Sequence, residues 1–188
     1  MVELATLLTR CRHRDDLAWE ALVRRMQPRV YGTALHLLRS PEDAREVAQD
    51  AFVRLYRSLP ALEFADENQF VGWLLQTTRN AAVDRIRQIR SRPPRADVPA
   101  EEAMLPDAQP SPEEASLASD RQALVHRALA GLSDLNREIL VLKEIQGLDV
   151  RQVAEVLHIP EGTVKSRASR ARLELARRVL QLDPSFGA

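Results

Sequence analysis

Six side chains in one stretch combine the donors needed to read nucleic acid. Lys165, Ser166, Ser169 and Arg170 recur at spacings that place them on one side of a helix, with Arg167 and Arg172 beside them. Guanidinium, ammonium and hydroxyl groups donate to base edges and to phosphate oxygens, so a helix carrying them suits a duplex major groove. The opposite side holds Val164, Ala168, Ala171, Leu175 and Val179, the apolar stripe of a helix with one buried face.

What must position that helix precedes it. Residues 150–157 (VRQVAEVL) form a short amphipathic run with Val153, Val156 and Leu157 inward and the small Ala154 where two helices cross. Asp149 and Gln152 have the spacing of a capping box. HIPEG then breaks the periodicity, and Pro160 suits the start of a new helix. The pattern is a helix-turn-helix whose second helix is presented to DNA. The plain alternative is an Arg-rich solvated helix. The one-sided charge, Lys165, Arg167, Arg170, Arg172, Arg177 and Arg178 against Glu161 and Glu174, favours DNA.

The rest of the chain reads as all-α. It has 188 residues, 27 Lys and Arg against 27 Asp and Glu, few aromatics, and apolar residues at helical spacing almost throughout. The balanced charge hides an asymmetry. Arg79, Arg85, Arg87, Arg90, Arg92 and Arg95 form a second basic cluster, broken by Asp84. Between the clusters lie Asp97, Glu101, Glu102, Asp107, Glu113, Glu114 and Asp120 among repeated prolines. Two basic regions on a spacer imply two contacts with a polyanion. The expected organisation is two small helical domains, 1–91 and 116–182, joined by a Pro/acid-rich linker, 92–115, with a short tail, 183–188.

Several function classes are disfavoured. No nucleophile–base pair or phosphate loop is evident, and the four histidines lack ligand spacing, so neither catalysis nor a metal or other cofactor is expected. Cys11 is the single cysteine, which forbids an intrachain disulfide and suits a reducing compartment. No signal peptide or transmembrane-length stretch is evident, so a cytoplasmic, nucleoid-associated protein is expected.

In the first domain, Leu4, Leu7 and Leu8, then Leu17, Ala18, Ala21, Leu22 and Val23, suggest two short helices, and Pro28 suggests the start of another. Ser40-Pro41-Glu42-Asp43 is a strong helix start. The stripe that follows, Ala44 to Leu59, includes Phe52 and Tyr56. The opposite face holds Asp43, Glu46, Gln49, Asp50 and Arg54, with Val53 among them. That face fits a protein-binding surface and equally a solvated one. A later helix over about 70–90 places Trp73, Gln76, Asn80, Val83, Arg87 and Arg90 on one outward arc, with Arg79 at its edge. Aromatic, amide and guanidinium groups together suit single-stranded bases. Trp73 alone reads more simply as a core residue. In the second domain, Ile139, Leu140, Leu142 and Ile145 are expected to form a core face, with Gly147 as a stop.

Three stretches together resemble the extracytoplasmic-function (ECF) group of the sigma-70 family of bacterial RNA polymerase sigma factors. They are SPEDAREVAQDAFVRLYRSLP, FVGWLLQTTRNAAVDRIR and LSDLNREILVLKEIQGLDVRQVAEVLHIPEGTVKSRASRARLEL, in the family's order. The resemblance implies that Asp43, Glu46, Gln49, Asp50 and Val53 dock on the clamp helices of the β′ subunit of core RNA polymerase. It implies that Phe64, Asn68, Trp73, Asn80, Asp84, Arg85 and Arg87 capture and open the −10 promoter element. It implies that Lys165, Ser166, Arg167, Ser169, Arg170 and Arg172 read the −35 element, with the second domain at the β flap. The polymerase supplies the chemistry, and an anti-sigma factor is the implied regulator. The competing reading is a helix-turn-helix regulator that binds duplex DNA without joining polymerase.

Overall fold

The computed structural model describes residues 3–91, 121, 123–184 and 186. The proposed linker, all the acidic residues from Asp97 to Asp120 and the end of the tail lie outside the described residues. Among those described, helices alternate with short turns and no strand occurs. The first group comprises α1 (Leu4–Arg12), α2 (Asp16–Leu38), α3 (Pro41–Ser58) and α4 (Glu67–Ser91), with a 3-10 turn at Leu59–Ala61. The second comprises α5 (residues 123–130), α6 (Asp134–Leu140), α7 (Val150–Leu157) and α8 (Glu161–Leu182).

Local chemistry sets most of the helix ends. Asp15 caps α2 by accepting from the Ala18 N–H at 3.1 Å. Ser40 Oγ accepts from the Asp43 N–H at 3.3 Å, and Pro41 opens α3 where its missing N–H is harmless. A start signal that periodicity did not reveal lies at 65–69: Asp66 accepts from the Gln69 N–H at 2.8 Å, and Gln69 Oε1 accepts from the Ala65 N–H at 2.6 Å. These bonds order the loop and launch α4 earlier than its apolar stripe suggested.

Three expectations are corrected. Pro28 starts no helix, for α2 runs through it unbroken. Proline there removes one backbone hydrogen bond, yet Met26, Val30 and Ala34 continue one buried stripe across it, and that packing outweighs the loss. Leu17 is 72% exposed, because the inward side of the first turn is taken by Ala18 and Trp19, which turns Leu17 to the outside. Ile145 is 46% exposed rather than in the core. The cause is a π turn at Val141–Ile145, whose extra residue shifts the phase of the stripe. Gln146, only 6% exposed, takes the inward place, and Gly147 follows at φ +72, a conformation glycine adopts without strain.

The core does not stop at the boundary between the two groups. One cluster of buried side chains includes Leu22, Met26, Leu55, Phe70 and Leu74 from the first group. It continues through Ile139, Leu142, Val153, Val156, Val164 and Ala168 of the second. Helix α7 packs on α4, and α6 packs on α2. Smaller clusters complete each group: Ala34, Leu37, Ala44, Val47 and Ala82 in the first, and Leu129, Leu132, Leu140 and Ala171 in the second.

Candidate nucleic-acid interface

The helix-turn-helix forms as its sequence requires. Asp149 Oδ1 accepts from the Gln152 N–H at 2.8 Å, and Gln152 Oε1 accepts from the Asp149 N–H at 2.9 Å, closing the capping box of α7. His158 ends α7 in the left-handed region, at φ 54. That turn redirects the chain so that α8 leaves at Glu161. Val164, Ala168 and Ala171 are buried, which rolls the opposite side of α8 outward. Lys165, Ser166, Ser169, Arg170 and Arg172 are exposed and Arg167 is half-buried, so the expected reading side is open. Its groups are weakly engaged: Lys165 lies 4.0 Å from Glu161, Arg172 lies 3.8 Å from Glu144, and the Ser166 hydroxyl donates to the Thr163 carbonyl at 3.1 Å. Exposed pairs of this kind contribute little to stability and leave the cations available to phosphate.

On α3, Gln49, Asp50 and Val53 are exposed on the outer side. Glu46 and Asp43 are tied to α4: Arg85 contacts Asp43 at 2.5 Å and Glu46 at 2.8 Å. The pairing raises the Arg85 pKa further, first through its hydrogen bond to Asp43. The sequence assigned Asp43 and Arg85 to different partners, whereas the fold brings them together as a tie between the two helices.

The expected strand-binding residues lie on α4 and the loop before it. Phe64 is half-buried and stacks edge-on to Phe70, with centroids 5.3 Å apart, and to Trp73 at 6.1 Å. Trp73 thus belongs to an aromatic group that leans on the core. Asn80 is half-buried, whereas Asn68, Asp84 and Arg87 are exposed, and Asp84 pairs with Arg87 at 3.2 Å.

Two neighbours on this face are more deeply engaged than the sequence implied. Arg79 Nε donates to Glu138 at 2.9 Å, and Gln76 Nε2 lies 3.1 Å from His158 Nε2. Spacing alone could not reveal either partner, because each comes from the other half of the chain.

The remaining reactive groups carry no site. Cys11 is buried, and burial, with the charge of Asp15 adding to it, pushes its thiol up to about 11, so it stays protonated and poorly nucleophilic at neutral pH. No cluster that could hold a metal ion occurs among the described residues, and no described helix is long and apolar enough to cross a membrane.

Comparison with known proteins matches this geometry. The family model of Sigma-70 region 2 matches residues 22–92, and that of Sigma-70 region 4 matches residues 122–175. The chain is 34% identical to the RNA polymerase sigma-H factor of Pseudomonas aeruginosa over 173 residues, 88% of each chain. It is 31% identical to the ECF RNA polymerase sigma-E factor of Escherichia coli, covering 94% of each. Among solved structures, the fold is similar to that of CnrH in complex with the cytosolic domain of CnrY, with TM-score 0.66, 24% identity and 95% and 97% of the two chains covered. It is also similar to the sigma factor RpoE of Bartonella quintana in complex with the anti-sigma factor NepR, with TM-score 0.66, 22% identity and 87% and 97% covered. Region 2 falls on α2–α4 with their mixed outer faces, and region 4 on the helices that build the helix-turn-helix. The chain belongs to the sigma-70 family of RNA polymerase sigma factors, in its extracytoplasmic-function group.

Proposed function

We propose how this sigma factor divides promoter-specific initiation among its surfaces. Gln49, Asp50 and Val53, with Glu46 at the margin, form the contact with the clamp helices of core polymerase, and Asp43 holds that face in place through Arg85. Helix α8 reads the −35 element with Lys165, Ser166, Ser169 and Arg170, while Arg167 and Arg172 neutralise phosphate and the domain rests at the β flap. Loop 62–69 and α4 take the opened −10 strand through Phe64, Asn68, Trp73, Asn80 and Arg87. The chain supplies recognition and the polymerase performs the chemistry, inside the cell and at the nucleoid. The observation that carries this division is the exposure of the α3 and α8 faces on separate halves of one chain.

A reversible anti-sigma partner completes the reading. It is supported by the fold shared with chains solved in complex with CnrY and with NepR. The exposed Val53 offers such a partner an apolar foothold, beside Tyr56, which was expected in the apolar stripe but is 51% exposed and leans on Trp19 with ring centroids 4.9 Å apart.

The test separates the surfaces. Asp50→Arg with Val53→Arg should abolish capture by core polymerase while duplex binding by α8 persists. Ser169→Ala with Arg170→Ala should leave core capture intact and change which duplex sequence α8 prefers. Loss of both activities in each variant would refute the division. Unchanged core capture in the α3 variant would place the polymerase contact elsewhere, and no capture by the wild type would favour a regulator that never joins polymerase.

A further inference from the structure

The loop that carries Phe64 and Asn68 is tied to two helices that precede it. Arg12, the last residue of α1, donates from Nη2 to the Leu62 carbonyl at 2.7 Å, across 50 residues of sequence. Arg25 of α2 meets Glu67 at 3.0 Å. Between these ties Phe64 lies edge-on to Phe70 and Trp73, and the Asp66 and Gln69 side chains bond to loop backbone. Ala65, Asp66, Asn68 and Gln69 are nonetheless exposed. The loop is anchored at both ends and open at its tip.

The end of α1 is itself fixed. Cys11 is buried, its carbonyl accepts from the Trp19 indole N–H at 3.1 Å, and Arg10 pairs with Asp15 at 2.7 Å. Leu4 and Leu8 of α1 share one buried cluster with Leu59, which opens the turn before Leu62. A guanidinium on so firm a base determines where the carbonyl it binds can sit. The Leu62 N–H donates to the Leu59 carbonyl at 3.2 Å, so both backbone polar groups of Leu62 are engaged. The direction in which the chain leaves towards Phe64 is set with them. Arg12 lies before residues 22–92, the span that region 2 matches. A loop that reads a base must be held within about 0.5 Å, and residues behind the reading set supply that precision.

We infer that Arg12 is a positioning residue for −10 recognition. Through the Leu62 carbonyl it fixes the loop in the conformation that presents Phe64 and Asn68 to the strand, and Arg25 does the same at Glu67. In this role Arg12 touches no base. Without it the loop occupies several positions, and bases that a single position would tell apart are accepted alike. The outer faces of α3 and α8 take no part in these ties, so polymerase capture and −35 reading do not depend on them. The inference rests on the reading of loop 62–69 as part of the strand-binding surface.

The experiment uses the full chain with core polymerase. The template is a library in which the −10 block of one promoter used by the protein is randomised, and transcripts are counted by sequencing. Arg12→Ala should flatten the base preference at one or more −10 positions by roughly fivefold or more, the discrimination that a well-placed base contact provides. Core capture, −35 preference and the slope of log promoter affinity against log salt should stay as in the wild type. Arg10→Ala, which removes an exposed ion pair from the same turn, should leave the −10 preference intact. A uniform loss across sequences in Arg12→Ala, with the salt slope reduced by about 1, would make Arg12 a phosphate contact and overturn the inference. Equal flattening by Arg10→Ala would reduce the effect to the general stability of α1 and overturn it as well. Phe64→Ala with Asn68→Ala tests the loop itself. A changed −10 preference there, without one in Arg12→Ala, overturns the positioning role alone. An unchanged preference there overturns the strand-binding reading of the loop, and the inference with it.

Discussion

Arg79 and Glu138 are separated by most of a small domain in sequence, yet their side chains meet at 2.9 Å, largely out of water, across the seam between α4 and α6. A pair so placed holds the halves together only while both charges are present. Removing one partner leaves the other buried and uncompensated. A double-mutant cycle of Arg79→Ala and Glu138→Ala, measured by urea unfolding of the whole chain, should return a coupling of about 0.5–3 kcal/mol. Additive single losses would show that the seam does not depend on the pair.

The stacked rings of His36 and His126 make the seam sensitive to acid. Their centroids are 4.4 Å apart with planes inclined by 13°. Burial, with His126 and Arg137 adding repulsion, lowers His36 from 6.5 to about 4, and burial lowers His126 as well. Both rings are therefore neutral when packed. Once exposed they bind protons from pH 6.5 downward, so the unpacked chain holds more protons in that window. Stability is complete above pH 6.5 and falls as the pH drops towards 4, by on the order of 3 kcal/mol from His36 alone. Urea midpoints across this range should show the decline, and His36→Phe should flatten it. An equal slope in that variant would place the acid sensitivity elsewhere.

The capping box at Asp149 and Gln152 sets the start of α7, against which α8 packs. Asp149→Ala should cost about 1 kcal/mol of stability, within the usual span of cap losses. It should also weaken binding of −35 duplex without touching a DNA-facing group. A stability loss with unchanged duplex affinity would mean that α8 holds its place without α7.

Phosphate and base contacts on α8 should separate by salt dependence. Arg167→Ala and Arg172→Ala should weaken duplex binding about equally across sequences and reduce the slope of log affinity against log salt by roughly 1 each. Ser169→Ala and Arg170→Ala should instead alter which sequence is preferred. Sequence-dependent losses at Arg172 would move it into the base-reading set.

The helix-turn-helix was legible because it is local. The capping box, the turn at 158–160 and the buried Val164–Ala168–Ala171 stripe all lie within one short stretch, and each forms as its spacing implies. The same holds for the Ser40–Pro41 start of α3. What escaped was set by distant packing or by a change of helical phase. Nothing near Pro28 announces that packing will carry α2 through it, and the π turn that expels Ile145 and buries Gln146 leaves no mark in a period of 3.6. The candidate residues divide in the same way. Gln49, Asp50, Lys165 and Arg170 sit on open faces as expected, whereas Asp43 pairs with Arg85 and the α4 face is met by α6 and α7, partners that only the fold brings near.

This one chain should confer promoter choice on core polymerase. The most direct test is mapping of transcription start sites on fragmented genomic DNA with purified core enzyme, with and without the protein. A defined set of new start sites that share two upstream sequence blocks at fixed spacing should appear only when the protein is added. That set should vanish with Asp50→Arg and Val53→Arg and change its upstream block with Ser169→Ala and Arg170→Ala. An unaltered set of starts, with core capture and duplex binding both intact, would contradict it.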